Sequence, residues 1–418
     1  MVKPLFKVST PNEVITTLKD HLRLKEIIRN NIEEVNIKIA LHRFLAEEIV
    51  ASANLPGFNR SAMDGYAIRA EDSFGATDSL PSYLKIVGEI KMGVTPELKI
   101  NPGEAVKIST GGMLPEGANA VVMLEYTEQI DDSTIEIRKS ISPWENVVRE
   151  DEDLKTGEII LRKGHRLRSQ DIGVLAGIGK INVKIYRKPK IATISTGNEI
   201  IPAEGEPRTG QVRDINSYTL GACIEEAGGV PVYRGIIKDE VIRLKQEIKK
   251  TIKEDKVEVV IISGGSSVGV RDVTLEVLNR LGKPGVLIHG VSVKPGKPTI
   301  LAIADNRPIF GLPGHPVSAM IIFDLFVRPL IRWLQGGEYN YNSAQEIEAE
   351  LTCNMVSDSG REDYIRVFVY KEGEKIYAEP ILGKSGLIST MVRASGLIKI
   401  GLNVEGLEKG SKVIVRLF

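Results

Sequence analysis

Val257-Glu258-Val259-Val260-Ile261-Ile262-Ser263-Gly264-Gly265-Ser266-Ser267-Val268-Gly269-Val270-Arg271-Asp272 decides how this chain is read. Val257 to Ile262 is almost uniformly apolar and rich in β-branched residues, the pattern of a strand in a parallel sheet covered on both faces. That predicts a central strand. Ser263 to Gly269 follows directly, and its glycines permit positive φ, so that successive backbone N–H groups and hydroxyls can line one anion-binding concavity. Beyond Asp272, the apolar positions Val273, Leu275, Val277, Leu278 and Leu281 have helical spacing, which brings the loop to a helix N-terminus. The same residues also read as a plain βα turn with Asp272 as N-cap, and a Gly-rich loop outside a known fingerprint does not decide between the two.

Working outward, 418 residues exceed one ordinary domain and 42% hydrophobic content is ample for packed cores. Lys plus Arg and Asp plus Glu both number 55, so no basic field recruits nucleic acid and a small-molecule partner is favoured. Cys223 and Cys353 lack metal-ligand spacing, exclude a disulfide framework and are both expected to be buried, which fits a reducing interior. No signal segment and no apolar run of about 18 residues is present, so no membrane contact is expected and the location read from the sequence is cytoplasmic.

From the start, Pro11 to Arg29 and Ile39 to Ile49 carry helical periodicity and predict two opening helices. From Ala51 the texture becomes short β runs, Leu84 to Gly88, Glu104 to Ile108, Ala120 to Leu124 and Thr134 to Ile137, broken by turn residues. Trp144 to Gly179 returns to turns and a short helix. This predicts a discontinuous helical or mixed N-terminal domain (1–50 and 141–183) with a β module (51–140) inserted in it. Lys190 to Ser195 then opens an alternation of strands with the helical patterns Asn216 to Ala227, Glu240 to Lys253, Val273 to Leu281 and Pro316 to Leu334, a doubly wound α/β domain over 184–336. Residues 337–418 are again β-patterned and predict a C-terminal β-barrel-like domain. The fold class is multidomain α/β plus β.

Ligands of an open α/β sheet lie outside the carboxyl ends of its strands, where Thr196 to Glu199, Ser263 to Gly269 and Gly311 to Pro316 can converge. Lys294-Pro295-Gly296-Lys297 sets two ammonium groups on a stiff loop after an expected strand Val286 to Val293; they suit an oxyanion, or are simply solvated. Asn59 to Ala67 holds Asp64 beside a turn glycine, Glu150 to Asp153 is an acidic run, and Thr110-Gly111-Gly112 is a small anion nest or an ordinary turn. As a set, anion loops, lysines and spare carboxylates suit a phosphorylated substrate with a divalent metal.

Leu45-Ala46-Glu47, Asn59 to Ala67, Thr110-Gly111, Leu114 to Ala118, Glu152-Asp153, Ser195 to Glu199, Asn216-Ser217, Ser263 to Gly269, Pro295 to Pro298 and Leu312-Pro313-Gly314 occur in the order found in the MoeA family, and the sequence resembles that family over nearly its whole length. The family includes the E domain of gephyrin. The resemblance implies a homodimer of four-domain subunits with an α/β domain akin to the MogA-like molybdopterin adenylyltransferases. It implies Mg²⁺-dependent insertion of molybdate or tungstate into adenylylated molybdopterin with release of AMP, and transient contact with an adenylyltransferase. By the same resemblance, Asp64, Asp153, Glu199, Asp272, Lys294 and Lys297 are catalytic, with Glu199 and Asp272 on the metal. Thr110, Ser263, Gly264, Gly265, Ser266, Ser267, Gly269, Pro313, Gly314, Arg361 and Ser385 bind substrate. Departures are His315 where the family more often has Asn, His42 and Asp151 where it has Gly, Asn119 where Asp is common and Val148 where Arg is common. Two competing readings, an adenylyltransferase and a non-catalytic scaffold, are disfavoured by the chain's length and by the complete set of carboxylates and lysines.

Asp272 separates the capping reading from the metal reading. Asn caps a helix within a few tenths of a kcal/mol of Asp, whereas Mg²⁺ prefers anionic oxygen. Asp272→Asn is expected to keep the melting temperature, to lose most AMP release and to regain part of it at high Mg²⁺; wild-type turnover across a Mg²⁺ titration would return Asp272 to the capping role.

Overall fold

The computed structural model describes residues 8–22, 31–264, 273–337 and 345–418. These fall into two compact units, one from Met1–Glu34, His42–Ala46 and Lys184–Phe418, the other from Val35–Leu41 and Glu47–Val183. Among the described residues, no helix is long and apolar enough to cross a membrane.

Helix α1 (Pro11–His21) starts on a capping box: the Glu13 amide donates to Thr10 Oγ1 (3.3 Å), and the Thr10 amide donates to Glu13 Oε2 (2.6 Å). It ends with Leu22 as C-cap, and residues 23–29 of the expected helix lie outside the described residues. The second expected helix, Ile39 to Ile49, does not form. Ile39 is 68% exposed and His42 takes φ 65°, so the apolar spacing there does not mark a buried face. Leu45 instead bridges to Ile185, and Ile49–Val50 pairs with Ile159–Leu161. His42 and Asp151 (φ 62°) both sit in the left-handed region, which glycine adopts without strain; Asp tolerates that conformation better than most side chains.

The second unit is built on a six-stranded sheet: β1 (Gly65–Ile68), β2 (Ser82–Glu89), β3 (Glu104–Ile108), β4 (Ala120–Met123), β5 (Thr127–Asp131) and β6 (Thr134–Ile137), in the order β4-β1-β3-β2-β6-β5. Tyr66, Ile68 and Val122 pack on one face and Ala67, Val106 and Val121 on the other, so the middle of the sheet is covered twice. Helix α2 (Ser169–Gly177) in the same unit has Asp171 at its third position, where the carboxylate accepts the Arg168 amide (2.8 Å) and bonds from Arg168 Nε (3.0 Å) and His165 Nε2 (2.7 Å).

The first unit contains the α/β sheet: β7 (Lys190–Thr196), β8 (Val230–Ile237), β9 (Val259–Ser263), β10 (Pro284–His289), β11 (Ile300–Ala304) and β12 (Arg307–Leu312), ordered β8-β7-β9-β12-β11-β10. The first four run parallel, β11 runs antiparallel to them and β10 antiparallel to β11, so the sheet is mixed. Val259 and Ile261 join a core with α3 (Asn216–Glu226), while Val260 and Ile262 join one with α4 (Val241–Glu254) and α5 (Val273–Asn279). Each of these four side chains, fully buried, contributes roughly 1.5–3 kcal/mol. The expected strand Val286 to Val293 is broken: β10 ends at His289, Gly290 turns at φ 101°, and Val293–Lys294 pairs instead with a strand of the C-terminal sheet.

That sheet comprises β13 (Glu346–Leu351), β14 (Glu362–Glu372), β15 (Lys375–Pro380), β16 (Gly396–Ile400) and β17 (Lys412–Leu417). The order β14-β15-β13-β17-β16, with β16 pairing back to β14, closes a barrel around Ala349, Leu351, Val367, Ala378, Ile398, Val413 and Val415. Cys223 is buried as expected, but Cys353 is exposed because it lies in the turn after β13 rather than on the barrel's inner face.

Burial pushes the Asp171 carboxyl up, but the bonds from Arg168 and His165 outweigh it and hold the group well below the usual carboxylate range. A lowered folded-state value means stability that is full above the unfolded value near 3.8 and is lost as pH falls toward the folded one. Asp171→Asn is therefore expected to lower the neutral-pH stability of this unit and to flatten its loss below about pH 4, read from denaturant midpoints across pH; parallel pH curves for variant and wild type would contradict it.

Candidate functional site

β7, β9 and β12 end level, because Ser195 pairs with Ser263 and Ser263 with Leu312. The chain therefore leaves the sheet side by side at three places: Gly197–Glu199 after β7, Gly264 after β9, and Pro313–His315 after β12. Gly264 takes φ 106°, and a Cβ there would stand 2.1 Å from the Thr196 carbonyl oxygen, so only glycine lets the two loops approach this closely. A Cβ on Gly314 would lie 3.6 Å from Gly264 Cα, which brings the third loop against the second.

Asn216, at the start of α3, ties the loops together. Its Nδ2 donates to Ser263 Oγ (2.5 Å) and to the Gly314 carbonyl (2.8 Å). Behind it, Ser195 Oγ donates to Asp214 Oδ1 (2.9 Å) and Ser217 Oγ to Asp214 Oδ2 (2.6 Å), a buried brace that keeps the edge rigid. His315 Nδ1 meets Ser385 Oγ at 2.8 Å, so a loop of the barrel reaches the same edge.

Glu199 is exposed on the first loop. Asp239, two residues beyond β8, approaches it: the Asp239 amide donates to Asn198 Oδ1 (3.4 Å), and its carboxyl is raised first by burial and then by the Glu199 charge. Asp239 Oδ1 is buried with no partner among the described residues. Two neighbouring carboxylates of hard oxygen, one with an orphaned atom, fit a divalent cation such as Mg²⁺. Among the described residues no third acidic, His or Cys ligand joins them. Asp272, the other expected metal ligand, lies outside the described residues, as do Gly265, Ser266, Ser267 and Gly269.

Lys297 and Arg361 line one cavity of about 210 Å³ with Ser292, Ser359 and Asp358. Arg361 pairs with Asp358. Lys294 Nζ lies 3.2 Å from Asp363, a buried carboxylate that also accepts from Ser357 Oγ (2.8 Å), so this ammonium is engaged within the protein. The remaining predicted residues belong to the other unit. There Asp64 Oδ1 accepts the Thr110 amide (2.7 Å) and hydroxyl (3.1 Å). Gly65 beside it is obligatory, since a Cβ would sit 1.9 Å from the Val122 carbonyl oxygen. Asp153 is exposed, and its amide donates to the Leu55 carbonyl (3.0 Å).

Sequence reasoning missed Asp239 and gave Asn216 no role of its own. Asp239 had a usable signal, a carboxylate just past the carboxyl end of a parallel strand, where ligands of such sheets bind. Neither cysteine takes part. Burial pushes the Cys223 thiol up to about 12, which leaves it a poor nucleophile.

Comparison with known proteins covers nearly the whole chain. Residues 11–179 match the model of the MoeA N-terminal region (domain I and II), 192–333 the "Probable molybdopterin binding domain", and 348–418 the MoeA C-terminal region (domain IV). A molybdopterin molybdenumtransferase of Bacillus subtilis is 33% identical over 390 residues, 92% of this chain and 89% of that one. Two crystal structures of molybdopterin biosynthesis MoeA proteins from Pyrococcus horikoshii are also similar. One is 37% identical with a TM-score of 0.81, covering 98% of this chain and 99% of that one. The other is 31% identical with a TM-score of 0.84, covering 99% and 100%.

The approach of the sheet-edge loops is open to a direct test. Gly264→Ala combines positive-φ strain with a backbone clash and is expected to cost about 2 kcal/mol or more. Gly235→Ala, at φ 75° with nothing within 4 Å of its Cβ, carries the strain alone and is expected to cost less. Urea midpoints decide it, and equal losses would remove the claim of close approach.

Proposed function

Since this chain belongs to the MoeA family of molybdenum cofactor biosynthesis, we propose that it is a molybdopterin molybdenumtransferase acting on adenylylated molybdopterin and molybdate or tungstate, with AMP as leaving group. The observation that carries this reading is the convergence of Glu199 and Asp239 beside the Gly264 and Gly314 loops, carboxylates next to backbone suited to an anion. Cleaving a phosphoanhydride requires its oxygens to be neutralised and the attacking group to be held in line. Glu199, Asp239 and Asp272 would hold Mg²⁺, which neutralises phosphate charge when bound. Ser263 and the loop around Gly264 offer hydroxyl and N–H donors to the phosphates. Asn216 keeps these loops in register, and Gly314 leaves room for the pterin-bearing substrate.

Lys297 and Arg361, sharing one small cavity with two serines, suit a tetrahedral oxyanion, while Lys294 and Asp363 buttress the loop that carries Lys297. The attacking oxygen comes from the oxyanion or from water, since the Cys223 thiol is buried and pushed up to about 12 and Cys353 lies in the turn after β13, outside the site motifs. Asp64, Thr110 and Asp153 complete the residue set implied by the family resemblance. The same resemblance supports a cytoplasmic homodimer that receives its substrate from an adenylyltransferase.

Incubation with adenylylated molybdopterin, Mg²⁺ and each oxyanion is expected to release AMP and leave metal on the pterin. Asp239→Asn is expected to raise the Mg²⁺ requirement on the order of tenfold or more, since even groups that only orient metal ligands are worth 10- to 100-fold. Consumption of ATP with free molybdopterin would instead identify an adenylyltransferase, and inactivity with both substrates would favour a scaffold.

A further inference from the structure

A cavity of about 500 Å³ opens in the first unit, lined by α3, the helix that follows β12 and the C-terminal domain. Its volume falls in the range of about 300–1,000 Å³ usual for small-ligand sites. α3 lines it with Thr219, Ala222, Cys223 and Glu226, the i, i+3, i+4 and i+7 positions of one helical face. The other helix presents Met320, Asp324, Arg328 and Arg332. A spacing of four overruns the about 3.6 residues of an α-helical turn, and the π segment Phe323–Val327, with its wider i→i+5 turn, keeps these four in line. Segments of this kind are frequent at functional sites. The C-terminal domain adds Ile388, Met391, Leu397 and Arg416. None of these residues belongs to the sheet-edge site.

The wall is of two kinds. Met320, Ile388, Met391 and Leu397 are apolar, and the Cys223 thiol, which burial pushes up to about 12, stays uncharged. Against them, two guanidinium groups meet at one carboxylate: Asp324 Oδ1 accepts from Arg328 Nε (2.7 Å) and Asp324 Oδ2 pairs with Arg416, while Arg328 Nη2 donates to Glu226 Oε2 (3.2 Å). Both arginine side chains are largely buried, at 20% and 11% exposure, so bonds made there are poorly screened. Two such forks carry more N–H donors than Asp324 and Glu226 can accept, and their planar geometry favours a further carboxylate. A bare inorganic anion would leave the apolar wall wet, and a hydrocarbon would bring no acceptor to the arginines. We propose that this cavity binds a small carboxylate with an apolar body, its head on Arg328 and Arg416 and its body against Met320, Met391 and Leu397. Such a ligand touches helix and C-terminal domain at once and holds them together.

Calorimetric titration of the full chain with sodium octanoate tests this, with octanol and octylammonium as controls of equal length. A hydrogen bond to a charged group is worth about 10- to 150-fold in affinity. Octanoate is expected to bind with one site per chain and to raise the melting temperature as its concentration rises. Octanol is expected to bind more weakly by a factor in that range, and octylammonium not at all. Arg416→Gln is expected to erase the preference for octanoate over octanol. Ala222→Trp, at an exposed position of α3, fills the cavity without touching the arginines and keeps the test open should Arg416→Gln not fold. It is expected to weaken octanoate by about tenfold or more, with the ligand-free melting temperature unchanged. Equal affinity for octanoate and octanol, full affinity in Ala222→Trp, or no binding to the wild type would overturn the inference. AMP release by the same preparation would in each case leave the transferase reading standing.

Discussion

The α/β unit depends on one constraint, that the strand Val259–Ser263 be buried on both faces. Alternate side chains supply two different cores, so helices must cover both sides, and the only place left for polar chemistry is the strand's end. Three strands stop at the same level there. The loops that leave them are consequently forced together, and the close pass of Gly264 over the Thr196 carbonyl is the local price of that packing.

Once the loops are together, polar side chains decide whether they stay in register. A buried amide at Asn216 spans two of them, and the Ser195–Asp214–Ser217 brace stiffens the support below. Buried polar networks of this kind are costly if broken and rigid when complete. That rigidity is what a site for phosphate chemistry requires, because misplacement of its donors by a fraction of an ångström weakens every charge-assisted contact. The carboxylates Glu199 and Asp239 use the same edge in the opposite sense: burial and then the Glu199 charge raise the Asp239 carboxyl.

The barrel is tied to the α/β domain through helix side chains as well as through strand pairing. The helical run Pro316–Leu334 contains a π segment at Phe323–Val327, and Asp324 within it accepts Arg328 Nε (2.7 Å) and pairs with Arg416 of β17. Val293–Lys294 adds a parallel strand to β14. These links explain why the Lys294–Lys297 loop, which in sequence follows an α/β strand, is positioned by the barrel, and why Ser385 reaches the sheet edge.

By itself the sequence determined the α/β core, the inserted β sheet and the closed C-terminal sheet, because each depends on periodicity that is local: unbroken β-branched runs, alternating strands and amphipathic helices. It also determined the family, since motifs such as Thr196 to Glu199 and Asn59 to Ala67 are contiguous. It misread Ile39 to Ile49 as helix, because apolar spacing does not report that Ile39 faces solvent or that His42 turns the chain. It carried Val286 on through Val293, because pairing with a distant strand leaves no local signal. Only the tertiary structure brought Asp239 to Glu199, let Asn216 join two loops, engaged Lys294 with Asp363 and set His315 against Ser385. Each of these pairs lies 40 to 98 residues apart, and such contacts exist only after strand order and register have been chosen by burial of the whole sheet.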